Sequence, residues 1–387
     1  AQMTAAELKK IEDAGTAAIV AGRSPSRVFH EYFTVLAEPG EAARVVDAFV
    51  PDQVYLNDGR GGFTPVSDRD RMFLDRRGVA YPMPAHSSHE AAFRDVDSDG
   101  DPDLYVTGDF DHPDSFLIND GRGVFQKAPN LSLRHTSQFS MGLDFADLNR
   151  DGFVDFVTVD MLSRSHRRRK TQMGDMQPTE TGVGVIVNRP QIMQNTLQLN
   201  RGDGTWTEIG QLAGVKASEW SWGVIFTDVD LDGYEDLIVA TGMTQDLMHA
   251  DARNRLKDMR AQNIPIVASI SEKLFPELPT PNGAYRNRGD LTFEYVGPDW
   301  GFDVDAVSGG IARADFDNDG DPDLVINNDN APLEVYRNRT QAPRVAVRLV
   351  GLAPNTRAIG AKVRLLGGPG GSAPMEHEIQ CGGGYAS

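Results

Sequence analysis

Four stretches of this chain place oxygen-bearing side chains at alternate positions and then turn on a glycine. They read DVDSDGDPD (95–103), DLNRDGFVD (147–155), DVDLDGYED (228–236) and DFDNDGDPD (315–323). Acids at loop positions one, three and five can converge on one point, and glycine at position six allows the sharp return. The carbonyl of position seven and the Asp at position nine can then complete a shell of hard oxygen donors. In the first loop these are Asp95, Asp97, Asp99, the carbonyl of Asp101, and Asp103. Their equivalents are Asp147, Asn149, Asp151, Phe153 and Asp155, then Asp228, Asp230, Asp232, Tyr234 and Asp236. The last set is Asp315, Asp317, Asp319, Asp321 and Asp323.

Such donor sets suit Ca2+, which takes six to eight oxygens at about 2.3–2.6 Å. About four Ca2+ sites are therefore expected. Without a cation, carboxylates packed so closely repel and raise one another's pKa, so metal binding should also stabilise the fold. One copy alone reads equally well as an Asx-rich turn; four copies with glycine at the same place favour the metal. An EF-hand needs a bidentate Glu at position twelve and an exiting helix. Here position twelve is Val106, Thr158, Val239 or Ile326, each inside a strand-like run, so that motif is excluded. Mg2+ demands tighter octahedral geometry, and Zn2+ prefers softer ligands. The second loop, with Asn149 in place of an acid, is expected to be the weakest site.

The elements that must hold these loops are β-strands. The runs LYV, FVTV, LIVA and LVIN that leave the loops are short and rich in β-branched residues. A second repeated element follows each loop: FLINDGRGVF (116–125), LQLNRGDGTW (197–206), AYRNRGDLTF (284–293) and VYRNRT (335–340). Its Asn-Asp-Gly and Arg-Gly-Asp-Gly runs are hairpin turns. The Arg-Gly-Asp at 201–203 and 288–290 is accordingly read as turn chemistry rather than as an adhesion ligand. An orphan second element, VYLNDGRGGF (54–63), precedes the first loop, so five units are visible.

The 52 residues from Asp95 to Asp147 match one four-stranded propeller blade. Longer spacings afterwards imply insertions. One spans roughly 163–191 with the basic run HRRRK, read as solvated surface; the other spans roughly 244–281 with a helical stretch near DARNRLKDMRAQ. The expected fold is all-β: a β-propeller of four-stranded blades with helical insertions, plus the beginning of a small C-terminal β domain. Residues 1–50 read as a helical N-terminal segment belonging to a truncated blade, 51–340 as propeller repeats, and 341–387 as the partial β domain.

A net charge of -18 and a pI near 4.8 repel nucleic acid and anionic membranes and attract cations. Cys381 is the one cysteine, so no intramolecular disulfide forms, and no stretch is long and apolar enough to span a membrane.

At these residues the chain resembles the FG-GAP, or VCBS, repeats of integrin-α-like propellers. The resemblance covers roughly 54–340, because both elements recur in the same order. The segments RVAVRLVG (344–351), NTRAIGAKVRLL (355–366) and EIQCGGGYAS (378–387) resemble the start of an ASPIC/UnbV domain. That pairing is typical of bacterial proteins similar to cartilage acidic protein. The resemblance implies an extracellular, periplasmic or cell-surface protein truncated at both ends. It also implies a calcium-bearing propeller; a protein or glycan partner on the propeller surface is expected, and the resemblance carries over no particular ligand.

Three functions are open to such a chain: a calcium-stabilised binding or adhesion module, an enzyme using the propeller as a scaffold for a polysaccharide, or an assembly protein. The enzyme would need a convergent catalytic cluster. His86, His89, His135 and the pair Trp220 and Trp222 precede the loops, but strand residues facing a propeller axis explain them as well. No catalytic motif is present. The binding module is the expected function.

Overall fold

The computed structural model describes residues 52–67, 70–81, 87–109, 113–129, 131–172, 190–262, 264, 273–366 and 374–379. It also describes the backbone of strands Phe33–Leu36 and Arg44–Asp47. The expected N-terminal helical stretch, His86 and Cys381 lie outside the described residues. The chain divides into two compact units, 1–73 with 80–87, and 74–79 with 88–387.

In the first unit, Phe33–Leu36 pairs antiparallel with Arg44–Asp47, and Tyr55–Asn57 with Phe63–Pro65. The second pair is the orphan hairpin. The Oδ1 of Asp58 closes its turn by accepting from the N–H groups of Arg60 (2.7 Å) and Gly62 (2.9 Å).

The second unit holds the four acidic loops, each inside its own antiparallel sheet. Ser88–Arg94, Asp103–Gly108, Ser115–Asn119 and Phe125–Lys127 are the longest strands of a five-stranded sheet. Leu143–Ala146, Asp155–Thr158, Thr196–Asn200 and Trp206–Glu208 form the second sheet. Ser221–Thr227, Asp236–Thr241, Gly283–Asn287 and Phe293–Tyr295 form the third. Ser308–Ala314, Asp323–Asn328 and Glu334–Tyr336 form the fourth. In every sheet the acidic loop joins the first two strands. In the first three a glycine turn joins the last two.

The fourth sheet stops one strand short among the described residues. Gly121, Gly202 and Gly289 occupy the turn position two residues after the hairpin Asn with φ of 71°, 68° and 70°. Thr340 stands there in the last repeat. A β-branched residue resists a left-handed backbone, so the turn that would launch a fourth strand is missing.

The sheets pack face to face, as blades do. Tyr105, Phe116, Phe145, Phe156 and Trp206 join the first to the second; ring centroids lie 4.8 Å apart for Tyr105–Phe156 and 5.0 Å for Phe116–Trp206. Val157, Leu197, Val224, Leu237 and Tyr285 join the second to the third, and Ile238, Ala284, Ile311 and Ile326 the third to the fourth. The strands leaving the first and third loops are buried along their whole length, which is why they read as unbroken apolar runs. Neighbouring first strands approach closely: a Cβ on Gly223 would meet the carbonyl oxygen of Gly309 at 2.6 Å. Arg94, Asp144, Phe226 and Arg313, one from the first strand of each sheet, line a single cavity. The four sheets are thus blades of a β-propeller around one axis.

Both insertions carry helices, His166–Gln172 and Ala250–Ala261. The basic run differs in part from its expected solvated role. Arg168 pairs with Glu219 and lies 3.6 Å from Asp246, both buried, and Arg169 donates to the carbonyl of Ser163. The segment 344–351, whose alternation reads as a strand, joins no sheet among the described residues and is largely exposed. Arg344, at its start, turns to Asp321. Lys362–Leu365 and Met375–Glu378 do form an antiparallel pair.

Candidate metal centres

The backbone of all four loops takes the same path. Position four is left-handed although none is glycine: Ser98, Arg150, Leu231 and Asn318 have φ of 64°, 60°, 55° and 58°. The glycine at position six follows at 96°, 88°, 92° and 92°. In three loops the first Asp fixes this turn with both oxygens. Asp228 Oδ1 accepts from the N–H of Asp232 (3.0 Å) and Oδ2 from that of Gly233 (2.8 Å); Asp147 and Asp315 do the same in theirs.

The Asp at position nine has a role that spacing alone did not assign. Asp103 accepts from the N–H of Val96 (3.0 Å) with one oxygen and from that of Asn119 (2.8 Å) with the other. Asp155 does so with Leu148 (3.0 Å) and Asn200 (2.7 Å), and Asp236 with Val229 and Asn287, both at 2.9 Å. Asp323 does so with Phe316 (2.9 Å) and Asn338 (2.8 Å). This buried carboxylate staples its loop to the hairpin of its own blade. The hairpin Asn then reaches backwards. The Nδ2 of Asn200, Asn287 and Asn338 donates to the carbonyls of Val96 (2.9 Å), Leu148 (3.2 Å) and Val229 (2.7 Å), each in the preceding loop. The signal was the Asn in every second element, but nothing local named its partner.

Carboxylate oxygens converge in three loops. Asp95, Asp97 and Asp99 each offer one oxygen, all within 4.8 Å of one another; so do Asp228, Asp230 and Asp236, and Asp315, Asp317 and Asp323. Twice a Ca–O bond length is about 4.6–5.2 Å, so one cation can touch all three acids of each group. Moreover, the Oδ1 atoms of Asp95, Asp230 and Asp321 are buried with no hydrogen-bond partner. Asp321 is only 1 % exposed. A buried acceptor left unsatisfied is costly, and a bound cation removes that cost. The residues therefore fit the metal that the loop pattern implies.

The second loop brings no such trio together among the described residues. Asn149 donates from Nδ2 to Asp151 Oδ2 at 2.9 Å instead of adding an acceptor.

Position seven does more than offer a carbonyl. A Cβ on Gly202 would collide with the ring of Phe153, and one on Gly289 would lie 2.9 Å from that of Tyr234, so these side chains seat on the hairpin glycines. Asp101 leans over Gly121 in the same way. The fourth repeat lacks that glycine, and Asp321 instead meets Arg344 at 3.3 Å.

Burial dominates the electrostatics. It pushes Asp103 and Asp228 up to about 7 and Asp236 up to about 8, despite the N–H groups each accepts from. Asp155 is pushed well above the usual carboxylate range for the same reason. Asp97, Asp147 and Asp230 are raised by burial and then by neighbouring acids.

Cations lean in from outside the loops. Arg286 Nη2 is 2.6 Å from Asp230, Arg337 Nε is 2.5 Å from Asp317, and Lys362 Nζ is 3.4 Å from Asp95.

The remaining histidines and tryptophans are spread over the blades. His89 lies 3.3 Å from Asp109, and His135 lies 3.7 Å from Glu208. The rings of Trp220 and Trp222 lie 6.4 Å apart. The Arg-Gly-Asp turns are closed locally: Asp203 and Asp290 each accept at 3.0 Å from the N–H of the Thr two residues on.

Blades built from an acidic loop and an Asn-Gly hairpin define a propeller-type repeat scaffold. The pattern of the FG-GAP-like repeat family matches residues 95–158 and 185–239. The chain is similar to human cartilage acidic protein 1, with 23% identity over 290 residues. The match takes in 68% of this chain and 43% of that protein, so the chain spans less than half the length of this relative. Among solved structures it aligns with an Agrocybe aegerita lectin that recognises non-reducing terminal N-acetylglucosamine, with a TM-score of 0.29 and 14% identity. That alignment covers 76% of this chain and 77% of the lectin. No helix of the described residues is long and apolar enough to cross a membrane.

Proposed function

We propose that this chain is a Ca2+-binding propeller module of an extracellular or cell-envelope protein, acting in binding or adhesion and without chemistry of its own. The observation that carries the metal assignment is the convergence of three carboxylates in each of three loops, with buried, unsatisfied Oδ1 atoms on Asp95, Asp230 and Asp321. The acidic loops stiffen the links between blade strands, and the surfaces between them present contacts to a protein or glycan partner. The acidic field suits cation binding and a partner that is neither nucleic acid nor anionic membrane. The FG-GAP-like repeats support an extracellular setting.

Thermal melting of metal-stripped protein with and without CaCl2 tests the assignment. Calcium at about 100 times Kd adds roughly 2.7 kcal/mol per site, so the melting temperature rises by several degrees and falls again with chelator. Asp230→Ala and Asp317→Ala each reduce the rise. An identical melt in chelator and in calcium contradicts the assignment.

A further inference from the structure

Beyond the last blade, the described parts of residues 341–379 lie across the face that carries the acidic loops. Arg344 reaches the fourth loop, with Nη1 3.3 Å from Asp321 and Nη2 3.8 Å from Asp319. Lys362 Nζ reaches the first loop at Asp95, 3.4 Å away. The third loop is met by Met375, whose Sδ lies 3.1 Å from where a Cβ on Gly233 would stand. His377 lies 4.0 Å from Glu235 in that loop. Arg364 lies 3.8 Å from the equivalent point on Gly152, in the second loop. Arg344 and the two strands of the hairpin thus approach all four loops. Beneath it lies the axial cavity of about 360 Å³, lined by Arg94, Asp144, Glu235 and Arg313 together with the hairpin itself.

We propose that the hairpin of Lys362–Leu365 and Met375–Glu378, with Arg344, is a lid that calcium releases from the loop face. The inference rests on the Ca2+ reading above. Lys362 and Arg344 hold acids of the first and fourth loops, Asp95 and Asp321, whose other oxygens are buried and unpartnered. A doubly charged ion drawn to those oxygens stands within a few ångströms of each ammonium or guanidinium and repels it. Calcium and Lys362 then compete for one carboxylate, Asp95, while Arg344 holds Asp319 and Asp321 beside the fourth trio and is opposed by the ion's charge rather than by a shared ligand. Competition is reciprocal: the factor by which calcium loosens the lid equals the factor by which the lid weakens calcium. The contact between Arg94 and Glu378, at 3.2 Å, involves no metal-loop acid and is the part of the closure that calcium does not contest. Release of the hairpin removes part of the axial cavity's wall and widens its opening to solvent.

Hydrogen–deuterium exchange on the whole chain, metal-stripped and then in CaCl2, tests this. Peptides across 95–103 and 315–323 report metal binding in the same run that peptides across 361–366 and 374–379 report the lid. The expected result is slower exchange in the loops and faster exchange in the hairpin, on the order of ten-fold for two partly exposed ion pairs. Lys362→Met combined with Arg344→Met tightens calcium a few-fold, whereas Arg255→Met, on an exposed helix, changes nothing. If the loops gain protection and the hairpin is unchanged or more protected, the lid is overturned and the calcium reading stands. If the loops gain no protection and no calcium binds, both fall.

Discussion

The side chain of Asn338 donates to the carbonyl of Val229 at 2.7 Å, across 109 residues of chain. The same amide reaches the carbonyl of Pro322 at 3.3 Å, and its own backbone N–H is held by Asp323. One residue therefore fastens the chain leaving the third strand to its own acidic loop and to the loop of the blade before it. Asn287 and Asn200 repeat the arrangement one and two blades earlier.

Asn287→Leu removes two donors from the carbonyls of Leu148 and Glu235. Asn287 is 1 % exposed, so those acceptors lose their partners in a buried setting. The expected cost is about 1–3 kcal/mol in equilibrium urea unfolding. A change within about 0.5 kcal/mol would show that the link between blades is incidental.

Positions nine and three of one loop should separate stability from metal binding. Asp323 is buried and accepts two backbone N–H groups, whereas Asp317 is met by the exposed Arg337. Asp323→Ala is expected to destabilise the calcium-free protein by about 3 kcal/mol. Asp317→Ala should leave calcium-free stability within about 1 kcal/mol of wild type while weakening calcium at that loop. Chemical unfolding in chelator, paired with calcium titration, gives both readouts. Equal losses of stability would remove the distinction.

The repeats, the strand–loop–strand order and the hairpins were legible because Asp, Asn and Gly at fixed offsets impose local backbone rules. Gly100 at φ 96° and Gly121 at φ 71° sit where those rules require them. The ties between blades were not legible, since Asn338 and Val229 obey no local rule that pairs them. The same holds for the cations on the loops: Arg286 and Arg337 immediately precede the hairpin Asn in two repeats, where Ile118 and Leu199 stand in the others. Residues 344–351 carry an alternating pattern that reads as a strand, yet alternation names no ladder partner, and among the described residues they join no sheet. The spacing assigns Asp321 through its carbonyl alone, whereas its carboxylate is buried and meets Arg344, 23 residues further along the chain, which no local rule pairs with it.

The first blade interface concentrates aromatic packing on Phe156, which is fully buried between Tyr105, Phe145 and Trp206. Phe156→Ala is expected to cost about 3–5 kcal/mol. Thermal or urea unfolding checks it, and a loss below about 1 kcal/mol would mean that these blades do not depend on this core.

The pH dependence of the calcium-free protein has a definite sign. Burial raises Asp236 to about 8 and Asp103 and Asp228 to about 7, so the folded chain holds protons that the unfolded chain has released. Between about pH 4 and 8 the native state binds more protons, and stability falls as pH rises through that window. Calcium displaces the same protons from the Asp228 and Asp236 loop, so its affinity rises over the upper part of the window. Unfolding in chelator at pH 5.5 and 8 checks the first statement. Greater stability at pH 8 than at 5.5 would contradict it.

Calorimetric titration of the metal-stripped chain with CaCl2 tests the central claim most directly. The account predicts saturable binding at three tighter sites, matching the three carboxylate trios, with weaker uptake at the loop containing Asn149. A titration with no saturable heat, confirmed by equilibrium dialysis showing no bound calcium, would contradict it.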